Sequence, residues 1–210
     1  LATQKKIVLI FDECTSGFRQ TFGGIHKFFG VNPDLATFGK TLGNGHPITA
    51  IIGKKKIMNS SQSSFISSTF WSERVGFVAA LKTLEIMKKT QSWKKITKSG
   101  NYIKSQWNLL SKKNKIKIEI QGLPAICSFK VMSKYSNHYN TYITQEMLSN
   151  GFLANNSIYV STTHTKTIIK KYLKILDKCF FNIGKCERGE QNIKKLLKGP
   201  VSEQGFIRLN

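Results

Sequence analysis

Acidic side chains are scarce in this 210-residue sequence: 11 Asp and Glu stand against 33 Lys and Arg, for a formal charge of +22. Arginine is scarcer still. It occupies only Arg19, Arg74, Arg188 and Arg208, so 29 of the basic residues are lysine. That shortage weakens the nucleic-acid reading that the charge invites, because bases and phosphates are read best by the bidentate fork of arginine. The excess is also uneven. Residues 1–80 carry 9 basic and 4 acidic side chains, net +5, whereas residues 81–210 carry 24 and 7, net +17. Pairs such as Lys88-Lys89, Lys94-Lys95 and Lys170-Lys171 fall on helix-like segments, where they read as solvated faces. A nucleic-acid partner is therefore not expected.

Long apolar runs are missing too. The longest strongly apolar one, Ile7 to Phe11, is far short of the ~20 residues of a membrane-spanning helix, so no membrane partner is expected. The opening Leu-Ala-Thr-Gln-Lys-Lys lacks the apolar stretch of about 7–15 residues that a secretory signal needs. The first residue is not Met, which suggests a piece of a longer product. Cys14, Cys127, Cys179 and Cys186 form no CxxC pair, so neither zinc nor a redox dithiol is expected, and reduced thiols suit a cytoplasmic protein. What is present argues for a folded chain. The sequence is 40% hydrophobic, too much for wholesale disorder, and its length suits one medium domain or parts of two.

The apolar run Ile7 to Phe11 ends at Asp12-Glu13 and predicts a buried parallel strand covered on both faces. Leu35 to Phe38 predicts a second strand, closed by Gly39-Lys40, and Ile48 to Gly53 a third. Residues 59–68 read as a Ser-rich loop. From Glu73 to Lys89 the pattern becomes helical, with Val75, Val78, Ala79, Leu81, Leu84 and Met87 on one broad face. A further helix is expected over 92–111. Strands follow at Ile116–Ile120, Ile126–Val131 and Ser157–Ser161, with a helix at Tyr139–Ser149. Thr165 to Ile183 predicts an amphipathic helix with Ile168, Ile169, Tyr172, Leu173, Leu176, Cys179, Phe180 and Ile183 inward. The pattern divides into an α/β sheet portion over 1–72, a linking helix over 73–90 and a smaller α+β domain over 91–210.

Two polar groups close apolar elements: Asp12 after the first strand and Lys40 after the second, 28 positions on. That interval has room for a crossover between parallel strands. In open parallel sheets, ligand sites form beyond the carboxyl ends of the strands, so both groups can face one crevice. An ATPase is one way to use such a pair, but the match fails twice. A phosphate loop ending at Gly39-Lys40-Thr41 needs Gly where Asp34 stands, and it should precede the acidic strand. Pyridoxal phosphate (PLP) chemistry is the other. It needs a lysine that forms a Schiff base and a carboxylate against the pyridine nitrogen. Lys40 and Asp12 supply the two residue types.

Here a family resemblance becomes specific. Phe11-Asp12-Glu13-Cys14-Thr15-Ser16-Gly17-Phe18-Arg19 resembles the FDEV-x-x-GFR segment of class III PLP-dependent aminotransferases. Gly30 to Lys40 resembles their G-x-x-PDL-x-x-x-GK segment, at an offset similar to that in the glutamate-1-semialdehyde 2,1-aminomutases. Ser68-Thr69-Phe70-Trp71-Ser72-Glu73-Arg74 is similar to the segment whose Thr reaches the cofactor phosphate of a neighbouring subunit. Gly151 to Tyr159 and Gly199 to Asn210 are also similar to family members.

The resemblance implies a fold-type-I large-domain part followed by a smaller α+β domain. It implies an aminotransferase or aminomutase that uses pyridoxal 5'-phosphate, acts on an amino acid or an amino-sugar precursor, and is a homodimer at full length. Lys40 would carry the internal aldimine and Asp12 would pair with the pyridine nitrogen. Cys14 would pack on the ring in place of the usual Val, and Thr69 would contact phosphate across the dimer. His46 and His164 read as structural. Family members run to about twice this length, and their Gly-Ser/Thr phosphate loop and ring-stacking aromatic lie upstream of the matching segment. The alternative is a non-catalytic remnant or interaction fragment.

Overall fold

In the computed structural model, which describes residues 1–202, the chain divides into two compact units, Leu1–Thr97 and Lys98–Asn210. The division falls inside a helix, later than the 90/91 boundary expected from sequence, so the helix proposed as a linker belongs to the first unit. The part of the Gly199 to Asn210 resemblance beyond Ser202 lies outside the described residues.

The first unit carries strands β1 (Ile10–Asp12), β2 (Leu35–Phe38) and β3 (Ala50–Gly53), then helices α1 (Lys55–Met58) and α2 (Arg74–Thr90). The strand order is β1-β2-β3. β1 runs parallel to β2, with Asp12 opposite Thr37, and β3 returns antiparallel, with Phe38 opposite Ala50. The β1–β2 crossover holds a short 3-10 turn at Ile25–Lys27. A second 3-10 turn, Lys40–Leu42, follows β2 directly, and a third, Asn59–Ser63, lies in the Ser-rich stretch expected to be loop. The core is small: Ala36, Phe38, Leu42 and Ala80 are buried, with Phe18, Ile48, Ala50 and Leu84 packed on them. α2 approaches the 47–48 backbone closely at Gly76, where a Cβ would come within 2.8 Å of the Pro47 carbonyl oxygen.

Two expectations are corrected here. β1 is shorter and later than Ile7–Phe11, and it is not covered on both faces: Ile7, Val8 and Ile10 are exposed. Its three residues pair only with β2, and among the described residues of this unit no second strand flanks them. The apolar face of α2 is likewise only partly covered. Met87 and Ala80 are buried, but Val75, Val78 and Leu81 are exposed, Leu81 at 69%. Periodicity marked this helix as apolar on one side, but the small core reaches only its Gly76, Ala80, Leu84 and Met87 edge.

The second unit is a better-filled α+β layer. It contains most of α3 (Ser92–Lys113), then β4 (Ile118–Leu123), β5 (Ile126–Val131), α4 (Ser136–Ser149), β6 (Ser157–Tyr159), α5 (Lys166–Glu187) and α6 (Ile193–Leu196). β4, β5 and β6 form an antiparallel sheet in that order. β4 starts two residues later than expected and runs to Leu123, because a two-residue turn at Pro124-Ala125 extends the hairpin. Trp107, Phe129 and Phe180 stack edge to face between helix and sheet, with centroids 4.8 and 5.5 Å apart. The buried Trp107 indole donates to the Tyr172 hydroxyl at 3.2 Å, so the polar end of each ring finds a partner. α5 buries Ile169, Tyr172, Leu173, Leu176, Cys179, Phe180 and Ile183, as its periodicity predicts. Ile168 is the exception. It is 41% exposed because it sits in the first turn, beyond the edge of the buried stripe.

Candidate active site

The two strand ends put chemistry on one edge. β1 and β2 are parallel neighbours, so the residues that leave them share the carboxyl side of the sheet. Successive strand residues point to opposite faces, and this separates Asp12 from Glu13: Asp12 is exposed, whereas Glu13 is buried at 2%. Asp12 Oδ1 accepts the Cys14 backbone N–H at 2.9 Å and the Thr37 hydroxyl at 3.4 Å. The Cys14 thiol lies 3.8 Å from Thr37 Oγ1. The Cys14 N–H leads a set of groups, with the Cys14 thiol, Thr37 and the Lys40 charge, that holds the Asp12 carboxyl below its ordinary value against partial desolvation. The group is an acceptor kept ready to pair with a positive or proton-bearing partner.

Lys40 follows β2 through Gly39 and opens the 3-10 turn. Its φ is +42°, in the left-handed region that costs a non-glycine residue on the order of 1–2 kcal/mol. Backbone strain of this kind persists where surrounding structure dictates it, often at functional sites. The consequence is local: the Lys40 ammonium donates to the Thr15 hydroxyl, and Thr15 in turn accepts from Arg19 Nε at its carbonyl, at 2.6 Å. Asp12, Cys14, Thr15, Thr37 and Lys40 therefore form one patch. Lys40 also borders an open, mainly apolar cleft of about 1210 Å³ that includes His46, Ser68, Phe70, Trp71 and Phe77.

Thr69 stands apart from this patch. It is exposed and does not line the cleft, although its neighbours Ser68 and Phe70 do. His46 lines the cleft and its N–H caps Gly43. His164 accepts the Ser161 N–H at Nδ1, and burial pushes its ring pKa down.

Sequence reasoning missed Thr15 and Thr37, because only the parallel register sets Thr37 beside Asp12. It also missed a buried pair behind the strand end. Glu13 Oε1 accepts both the His26 backbone N–H and His26 Nδ1, each at 3.0 Å, and Oε2 accepts from the Ser16 hydroxyl. Burial pushes the Glu13 carboxyl up, but the bonds from Ser16, from the His26 and Ile25 backbone and from the His26 ring outweigh it, so the net direction is down. A depressed carboxylate contributes stability that is present above its unfolded value, here 4.5, and is lost as pH falls through the folded value. Thermal melts from pH 7 to about pH 3 should therefore show an acid-labile component that Glu13→Gln removes. An identical acid limb in the two proteins would show that Glu13 is not its source.

Comparisons with known proteins place the chain in a family. The family model described as aminotransferase class-III matches residues 1–180, so this chain belongs to the class III aminotransferases. A 3-aminobutyryl-CoA aminotransferase of Cloacimonas acidaminovorans is 38% identical over 125 residues, 59% of this chain and 30% of the relative. A glutamate-1-semialdehyde 2,1-aminomutase of Fusobacterium nucleatum is 28% identical over 197 residues, 84% of this chain and 45% of the relative. Among solved structures, the FumI protein of Sphingopyxis sp. MTA144 in its PLP internal aldimine form superposes with a TM-score of 0.80 at 21% identity. That match covers 93% of this chain and 48% of the other. A transaminase with PLP bound gives 0.76 at 18% identity, covering 89% and 46%. The fold is that of the PLP-dependent aminotransferases, and the chain spans about half the length of the relatives it matches across most of its own length. Among the described residues no helix is long and apolar enough to cross a membrane.

Proposed function

We propose that this chain supplies the lysine and the ring-nitrogen carboxylate of a PLP-dependent aminotransferase or 2,1-aminomutase. One observation carries the reading: Asp12 and Lys40 leave adjacent parallel strands at one edge and meet in a single patch with Cys14, Thr15 and Thr37. A carboxylate held ionised and a primary amine on a strained turn are the donor set that a basic ring nitrogen and an aldehyde require. When bound, the cofactor supplies an electron sink for the bond broken at the amino-bearing carbon.

Lys40 Nζ would hold the cofactor covalently and move the proton exchanged during turnover. Asp12 would keep a proton on the pyridine nitrogen, with Thr37 and the Cys14 N–H fixing its oxygen. Cys14 would pack on the ring, and residues 1–72 would furnish the cofactor-binding portion. Thr69, exposed on the first unit, would meet the phosphate of a second subunit's cofactor in a homodimer. The substrate would be an amino acid or an amino-sugar precursor, in the cytoplasm, with no membrane or nucleic-acid partner. Residues 73–90, within the first unit, would lead on toward the smaller domain, which begins at Lys98 and not at the 91 expected from sequence. A second reading, a remnant or interaction piece without activity, is favoured by the exposed apolar residues of the first unit, among them Ile7, Ile10, Val75 and Leu81.

Borohydride reduction after incubation with PLP, followed by peptide mapping, is expected to place the pyridoxyl label on Lys40. A dominant label on another lysine would overturn the assignment.

A further inference from the structure

We propose that Glu13 and His26 form a positioning clamp for Asp12, the buried counterpart of the exposed site. This rests on the reading of Asp12 as the partner of the cofactor nitrogen. Glu13 continues the ladder from β1, its N–H donating to the Thr37 carbonyl at 2.9 Å, and its own carbonyl accepts from Gly17 N–H at 2.8 Å. Its side chain goes to the opposite face from Asp12 and is almost wholly enclosed. There it joins three parts of the chain: the end of β1, the 13–17 turn through Ser16, and the Ile25–Lys27 turn through His26. A carboxylate is an acceptor only, so His26 Nδ1 carries the proton in this pair.

The fit leaves no slack. A Cβ at Gly24 would come 2.7 Å from Glu13 Oε1 and 2.2 Å from His26 Nδ1. Phe11 flanks the imidazole, with ring centroids 6.1 Å apart. The connection to the site is one peptide long. The N–H that Asp12 accepts at 2.9 Å belongs to Cys14, the residue after Glu13, so the direction of that N–H depends on how the Glu13 backbone is held. An exposed strand-end carboxylate has few contacts of its own, and its orientation is set from behind by a buried anchor. Buried polar networks rigidify a site when every member is satisfied, and here both carboxylate oxygens are used.

The test reads Asp12 itself, on the 210-residue chain and without cofactor, by carboxyl-carbon NMR titration. In Glu13→Ala the Asp12 titration should move up toward that of a free carboxyl, because the Cys14 N–H that lowers it is no longer held in place. Glu13→Gln keeps an acceptor for His26 and should restore most of the shift. Ser16→Ala removes a single donor, should fold normally and should move Asp12 by a smaller step in the same direction. It decides the matter if Glu13→Ala does not fold. An Asp12 titration unchanged in folded Glu13→Ala, or in Ser16→Ala where the first variant fails, would overturn the clamp. Because no cofactor enters the measurement, a wrong cofactor assignment would show separately, as a label on a lysine other than Lys40.

Discussion

Asp12→Asn in the complete protein is expected to leave PLP attached at Lys40 while turnover falls by about a thousandfold, within the range of removing a positioned acid or base. The reason is the division of labour at the strand edge. On the proposed reading, covalent attachment would need only the Lys40 amine. The ring nitrogen needs a charged partner to stay protonated, and Asp12 is the carboxylate that Cys14, Thr37 and Lys40 hold in ionised form. Asparagine is nearly isosteric and can still accept the Cys14 N–H, so the strand end should keep its shape. Its neutral amide cannot hold the ring proton by charge. Near-normal turnover, or loss of the Lys40 label together with activity, would show that Asp12 has another role.

The 210-residue chain alone is expected to bind PLP weakly and to show no measurable transamination. Lys40 and Asp12 are both present, but the chain spans about half of the relatives that match most of it, and the phosphate loop that the family resemblance implies would fall outside the matched half. Phosphate anchoring is a positioning effect, and a misplacement of ~1 Å can cost about a hundredfold in rate. Among the described residues, the first unit also leaves Ile7, Val8, Ile10, Val78 and Leu81 exposed and β1 unpaired on one side, features that favour association. Absorbance after mixing with PLP and dialysis, beside a coupled glutamate transamination assay, checks both halves of the expectation. A stoichiometric, dialysis-resistant visible band with turnover would mean that these residues suffice.

Where the sequence carried its own punctuation, it was read to the residue. β2 lies at Leu35–Phe38 between Pro33-Asp34 and Gly39-Lys40, and β5 at Ile126–Val131 after a turn at Pro124. The inward stripe of α5 follows from periodicity because α3, α4 and β5 pack against it. β1 and α2 were legible as apolar but not as exposed. Periodicity reports which side of an element is apolar, while burial depends on what packs against it, and among the described residues β1 pairs only with β2. The site was half legible. Asp12 and Lys40 end apolar runs, and the motifs around them carry the family pattern. Thr37 enters through strand register, Thr15 through a turn that folds back on Lys40, and the left-handed backbone of Lys40 through a 3-10 turn that no residue type announces. His26 was invisible because its partner Glu13 lies 13 positions away on a different element.

On the proposed reading, Asp12 and Lys40 serve one and the same cofactor molecule. Nitrogen-15 NMR of ring-labelled PLP, reduced onto Lys40 in the complete protein, tests it most directly. A protonated pyridine signal is expected at neutral pH in the wild type and a deprotonated one in Asp12→Asn. The same signal in both proteins would contradict it.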